Sequence, residues 1–171
     1  MSLRIEYKIG INLGVILGIL VVIIGIIRYK TGMIFNEDQR LSYLYWGIFF
    51  VVNLIAALLY KNLSGDQFSL IHVLKVGITI GTVSSFMYLL YLVVLNYVIN
   101  PELPGQLLEI SRQKLLNGGS ELTPSQIEEL NMKRKSSNPL IRGMIYMLSS
   151  VVFGIIYSGL GGLILKMKKR V

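Results

Sequence analysis

The side chains able to do chemistry inside this chain are few, and all of them are neutral. Asn12, Asn53, Thr79, Thr82, Ser84, Ser85, Asn96, Ser149, Ser150 and Ser158 interrupt otherwise apolar stretches. Amides and hydroxyls can donate and accept hydrogen bonds, but none of these groups holds a charge or shuttles protons at neutral pH. Asn53 stands near the middle of its stretch. An amide surrounded by hydrocarbon must find partners, so it reads as glue between helices. It is also the candidate polar site for a solute or ion, on a path continued by Thr79, Thr82, Ser84 and Ser85. No Asp, Glu, Lys or Arg lies near the middle of any apolar stretch. Ion-coupled transport, proton relays and voltage sensing draw on such groups. His72 is the only histidine and there is no cysteine, so no metal-ligand set is present. No phosphate loop, dinucleotide fingerprint or Ser-His-Asp order occurs. The residues therefore argue for no catalytic, metal or cofactor site, and against an enzyme.

Small residues recur at every fourth position. One stretch carries Gly10, Gly14 and Gly18, another Gly77, Gly81 and Ser85, a third Ser150, Gly154, Ser158 and Gly162. That step keeps them on nearly one face of a helix. In lipid no hydrophobic force drives helices together, so close backbone approach and dispersion contacts must do so. The stripes predict a tightly packed bundle. If one stripe is left over for a second subunit, the last and longest is the choice.

The elements that position these residues are four apolar stretches, about 9–27, 41–60, 70–99 and 140–165. Each reaches the roughly 20 residues that a helix needs to cross about 30 Å of hydrocarbon. The expected fold is all-α: an integral membrane four-helix bundle forming a single membrane domain over 1–171, with a short helical insert between the third and fourth spans. The composition agrees, with 53% hydrophobic and 15% charged residues and a mean hydropathy of +0.63. The net charge of +8 would suggest nucleic acid on a soluble protein. Here the cations flank the spans (Arg28, Lys30, Lys61, Arg142, Lys166 to Arg170), as cations facing lipid headgroups do. The partners implied are the bilayer and a protein partner or second copy within it, and no nucleic acid. The first stretch is too long for a signal-peptide core and lacks a small-residue cleavage site, so it reads as a retained helix.

Helix one is expected to begin after Glu6-Tyr7-Lys8, and Tyr43, Tyr45, Trp46 and Tyr60 to lie at the membrane interfaces. His72 reads as a plain interfacial residue. The polar insert, 100–139, reads as two short helices. Pro104-Gly105 opens the first and Asn117-Gly118-Gly119 stops it. Thr123-Pro124-Ser125-Gln126 opens the second with a capping pattern. The segment Lys8-Ile9-Gly10-Ile11-Asn12-Leu13-Gly14 echoes Lys75-Val76-Gly77-Ile78-Thr79-Ile80-Gly81, so both odd-numbered helices open alike. Four spans put both termini on one side of the membrane, and the cations near span ends favour the cytoplasmic side.

The order of features resembles a known family. A short basic start precedes a Gly-rich first span and two more spans. A forty-residue insert with Leu-Thr-Pro-Ser-Gln-Ile-Glu-Glu follows, then Asn-Pro and a Gly-rich last span ending in Lys-Met-Lys-Lys-Arg. This layout resembles the membrane family catalogued as domain of unknown function 4199, found chiefly in Bacteroidota. The resemblance implies four inner-membrane helices and supplies no activity. The expected role is a non-enzymatic accessory or scaffolding subunit of a bacterial inner-membrane complex. The alternative is a small transporter or channel subunit using the polar path near Asn53.

Overall fold

The computed structural model describes residues 4–36, 38–65, 68–117 and 139–167. These residues contain five α-helices and no strand. Helix α1 spans Ile5–Lys30, α2 Arg40–Ser64, α3 Leu70–Val94, α4 Leu103–Asn117 and α5 Pro139–Met167. Four of them, counting α3 through Ile99, are long and apolar enough to cross a membrane. The expected second helix of the insert lies outside the described residues.

Local chemistry explains where the helices stop. The Thr31 amide and hydroxyl both bond back to the Ile27 carbonyl, at 2.9 and 2.7 Å. Gly32 then takes a φ of +72°, a left-handed conformation that costs glycine little. Helix α3 does not end at Val94 but widens into one π-helical turn, Leu95–Ile99. The Asn100 amide donates to the Leu95 carbonyl at 2.9 Å. Pro101 disfavours helical geometry at the residue before it, and Asn100 is accordingly extended, at φ −144° and ψ 84°.

Helix α3 is the centre of the bundle, with α1 packed on one side and α5 on the other. Helix α2 packs against α1 and α5 and closes the remaining side. Leu17, Phe49, Ala56, Ala57, Val73, Val76 and Ile80 form the core. The outer faces are apolar too: Ile16, Leu58, Phe86, Leu148 and Leu163 are all exposed. A bundle in water would not leave so much contiguous apolar surface bare, whereas the bilayer solvates it. The chain is an all-α, multi-pass membrane protein.

Two local expectations need correction. Helix α1 starts at Ile5, before Glu6, so that Glu6 sits in its first turn and is buried. Tyr45 and Tyr60 turn inward, at 2% and 5% exposure, while Tyr43 alone of that group is fully outward at 72%. Residue type placed these rings near the span ends, where they lie, and did not give the direction of each around the helix. His72 is not a plain interfacial residue, because it faces Glu6.

Candidate functional site

The glycine stripe of α1 lies on α3. A methyl group on Gly10 would sit 2.6 Å from Thr79 Cβ, and one on Gly14 would sit 2.8 Å from Val83 Cβ. Gly18 faces Met87. The stripe of α3 points to its other neighbour. Gly77 lies against Gly154 and Ser158, and a methyl on Gly81 would stand 2.6 Å from the Ser150 carbonyl oxygen. Gly162 meets Leu70 and Val73. Ser84, Ser85, Ser150 and Ser158 are fully buried. Thus α3 meets α1 with Thr79, Val83 and Met87, and meets α5 with its small residues. All three stripes face helices of the same chain, and no stripe is left over for a second subunit. The echoed segments of α1 and α3 use equivalent glycines on different neighbours. Gly25, Gly143 and Gly161 also sit close to other helices, beside Tyr91, Leu89 and Ala57, although they fall outside the fourfold pattern.

Asn53 is fully buried. Its amide nitrogen donates to the Phe49 carbonyl of its own helix at 2.8 Å, and its Oδ1 has no partner. The expected bond to another helix is not made, because the i−4 carbonyl is within reach and satisfies the donor locally. Thr79, Ser84, Ser85, Asn96 and Ser149 bond back along their own helices in the same way. These hydroxyls and amides thus bond to the backbones of their own helices, while Ser150 Oγ has no partner.

Two polar clusters lie at opposite ends of the bundle. At the end holding the start of α1 and the start of α3, Glu6 Oε1 approaches His72 Nε2 at 3.7 Å. The imidazole stacks on Tyr60 at 6.0 Å between ring centroids. Nearby, Lys61 Nζ donates to the Leu165 carbonyl at 3.3 Å. This cluster joins all four spans at one rim.

The other rim is built around Arg28, in the last turn of α1. Its two terminal nitrogens donate to Ser42 Oγ and to the Asp38 carbonyl, each at 3.1 Å. Tyr45, Tyr88 and Tyr146 reach the same place from α2, α3 and α5, and with Arg28 they line a cavity of about 50 Å³. A second cavity, of about 300 Å³, adjoins it beneath α4 and takes in Arg142 and Asn96. The rings pack closely, with Tyr88 and Tyr146 at 4.6 Å and Trp46 and Tyr146 at 5.9 Å. A sequence signal for this cluster existed. Four alternating spans put the end of the first and third on the same side as the start of the second and fourth. Arg28, Tyr45, Tyr88, Tyr91 and Tyr146 are among the polar residues towards those ends.

Among the described residues no cluster of His, Cys, Asp and Glu could hold a metal ion. A family model described as "Protein of unknown function (DUF4199)" matches residues 12–167. The chain belongs to this family. No curated protein and no solved structure matches it. The match runs from the first glycine stripe to the end of α5, so it covers both seams of α3 and the whole Arg28 cluster. Membership in DUF4199 therefore concerns the bundle and the insert together.

Proposed function

We propose that this DUF4199 protein is a non-enzymatic accessory or scaffolding subunit of the bacterial inner membrane, with both termini in the cytoplasm. What supports the scaffold reading is the way α3 meets its neighbours. Its small residues are spent against α5, those of α1 are spent against α3, and Asn53 is buried and bonded to its own helix. Such a centre holds helices in place and offers no wet route between them. A partner then meets the outer faces of the spans or the insert. Glycine packing of the bundle is part of the same proposal.

The reading is tested in two steps. Affinity purification in mild detergent should recover the same membrane polypeptide in fixed proportion, and replacing the insert by a neutral linker should lose it. A single cysteine at position 53, in a chain that has no cysteine, should resist a membrane-impermeant thiol reagent. Rapid labelling there, blocked by a solute, would replace the scaffold with the transporter subunit. The orientation rests on the cations near span ends at the rim that holds Lys8, Lys61, Lys75 and Lys166. A reporter active only in the periplasm, fused after Val171, should be silent, and an active fusion would invert the topology.

A further inference from the structure

Among the described residues, Arg28 has no carboxylate partner. Both of its acceptors, a serine hydroxyl and a backbone carbonyl, are neutral. Its Nε is buried and has no acceptor. Among the described residues the nearest acid in sequence, Asp38, turns its carboxylate to Arg40, at 3.6 Å to the Nε and 2.9 Å to the backbone amide. A guanidinium held among aromatic and aliphatic side chains without a negative partner is costly, and the cost is relieved when an anion arrives.

The surroundings are rich in unused donors. The hydroxyls of Tyr45 and Tyr146 lie beside each other and beside Ser84 and Ser150, a buried set in which Tyr45, Tyr146 and Ser150 close no hydrogen bond of ordinary geometry, and the Tyr91 hydroxyl is buried without one as well. Tyr45 is only 2% exposed. Phenol hydroxyls and a guanidinium together present hydrogen atoms that the protein leaves unaccepted. Oxygen atoms bearing negative charge are the acceptors that fit such a set. Space is available. The cavities of about 50 and about 300 Å³ share Arg28, Tyr88 and Tyr146, and the larger one adds a second guanidinium, Arg142. Its volume meets the lower bound for small-molecule sites, about 300 Å³. Leu92, Leu95, Leu103 and Leu107 supply apolar walls. The site stands at the ends of the spans.

We infer that the Arg28 rim is a binding site for a single oxyanion, a phosphate or carboxylate group, seated at Arg28 and capped by α4. Arg28 supplies charge and its free Nε–H. Tyr146, which lines both cavities, supplies a neutral donor. The apolar walls accept whatever hydrocarbon the anion carries. The site does not depend on the scaffold reading, since it needs no protein partner.

The test uses the full-length protein in neutral detergent, stripped of lipid. Trp46 is the only tryptophan and it lines the smaller cavity, so its fluorescence reports occupancy. Three probes are titrated: phosphatidylglycerol, phosphatidylcholine and inorganic phosphate. Native mass spectrometry counts the ligand. The expected result is saturation by one anion per chain, with Arg28→Gln weakening it on the order of tenfold or more, the loss of one charge-assisted hydrogen bond. Lys61→Gln, at the opposite rim, should leave binding unchanged. Saturation by phosphatidylglycerol alone identifies a lipid headgroup as the source, and saturation by inorganic phosphate identifies a solute. Bound anion should raise the melting temperature of the wild type and not that of Arg28→Gln. If Arg28→Gln does not fold, Tyr146→Phe removes one donor at nearly constant volume and should weaken binding several-fold. The inference fails if the wild type binds no anion saturably. It also fails if phosphatidylcholine binds as tightly as phosphatidylglycerol while phosphate does not bind, or if the folded variants bind as the wild type does.

Discussion

Replacing Gly81 by leucine should unfold or visibly loosen the bundle, while alanine at Gly47 should be slightly stabilising. At Gly81 even the first added carbon meets backbone, 2.6 Å from the Ser150 carbonyl oxygen and 3.1 Å from Val151 Cα. Backbone cannot turn aside as a side chain can, so α5 must move outward along its length. Overfilled cores cost about 1–3 kcal/mol where neighbours can adjust, and this site belongs at or above the top of that range. Gly154→Leu should behave alike, because it meets Gly77 across the same seam. Gly14→Leu should cost somewhat less, since the first obstacle is the Val83 side chain. Gly18 should be the mildest of the stripe, because it faces the flexible Met87. Around Gly47 there is open space, and removing a helical glycine there gains about 0.4–1 kcal/mol from a less flexible unfolded chain. Leu58, 46% exposed, provides a silent site when changed to another apolar residue. Thermal melts in one detergent would rank the variants. Equal losses at Gly81 and Gly47 would remove the close-packing explanation.

Phe49→Ala should be the most damaging truncation of a side chain. Phe49 is fully buried and touches three other rings, Tyr45 at 6.0 Å, Trp46 at 5.5 Å and Tyr157 at 6.1 Å between centroids. In a soluble core, Phe→Ala costs about 3–5 kcal/mol, part transfer from water and part cavity. In a bilayer the transfer part shrinks, because lipid receives the ring of a separated helix nearly as well as the core does. The cavity part remains. A ring leaves on the order of 100 Å³, which at about 24 cal/mol per Å³ is about 2 kcal/mol. Phe86, 51% exposed, is the control: lipid fills the gap at its site, and alanine there should cost little. Denaturation by an ionic detergent, followed through Trp46 fluorescence, would compare the two. A null effect at Phe49 would mean that the aromatic layer is dispensable.

The parts of this fold that could be read from residues alone are those imposed by the bilayer. Spanning about 30 Å demands long apolar runs, so the four spans stand out without any knowledge of their contacts. The α4 helix was legible because Pro104-Gly105 and Asn117 are position-specific signals. The partners of each helix were not. A run of glycines states which face can approach closely and not what it approaches. The periodicity thus marks Gly77 and Gly154 without pairing them. Direction around the helix was lost as well. Tyr45 and Tyr60 have the composition of interface residues and face inward, and Glu6 looks like a polar leader yet is buried against His72. The Arg28 rim was hidden for a different reason. Its residues come from four separate segments, and only the alternation of spans brings them to one end.

The central place of α3 has a consequence for how the protein is made. Its small-residue face is matched by α5, which leaves the ribosome well after it, and Gly77 precedes its neighbour Gly154 by 77 positions, the difference of the two residue numbers. Until α5 arrives, Gly77, Gly81, Ser84 and Ser85 must wait in the bilayer with lipid beside them. The long insert is synthesised during that wait. A half-made chain therefore presents a smooth, sticky flank to any other helix nearby, and quality control in the membrane has a defined moment at which to inspect it.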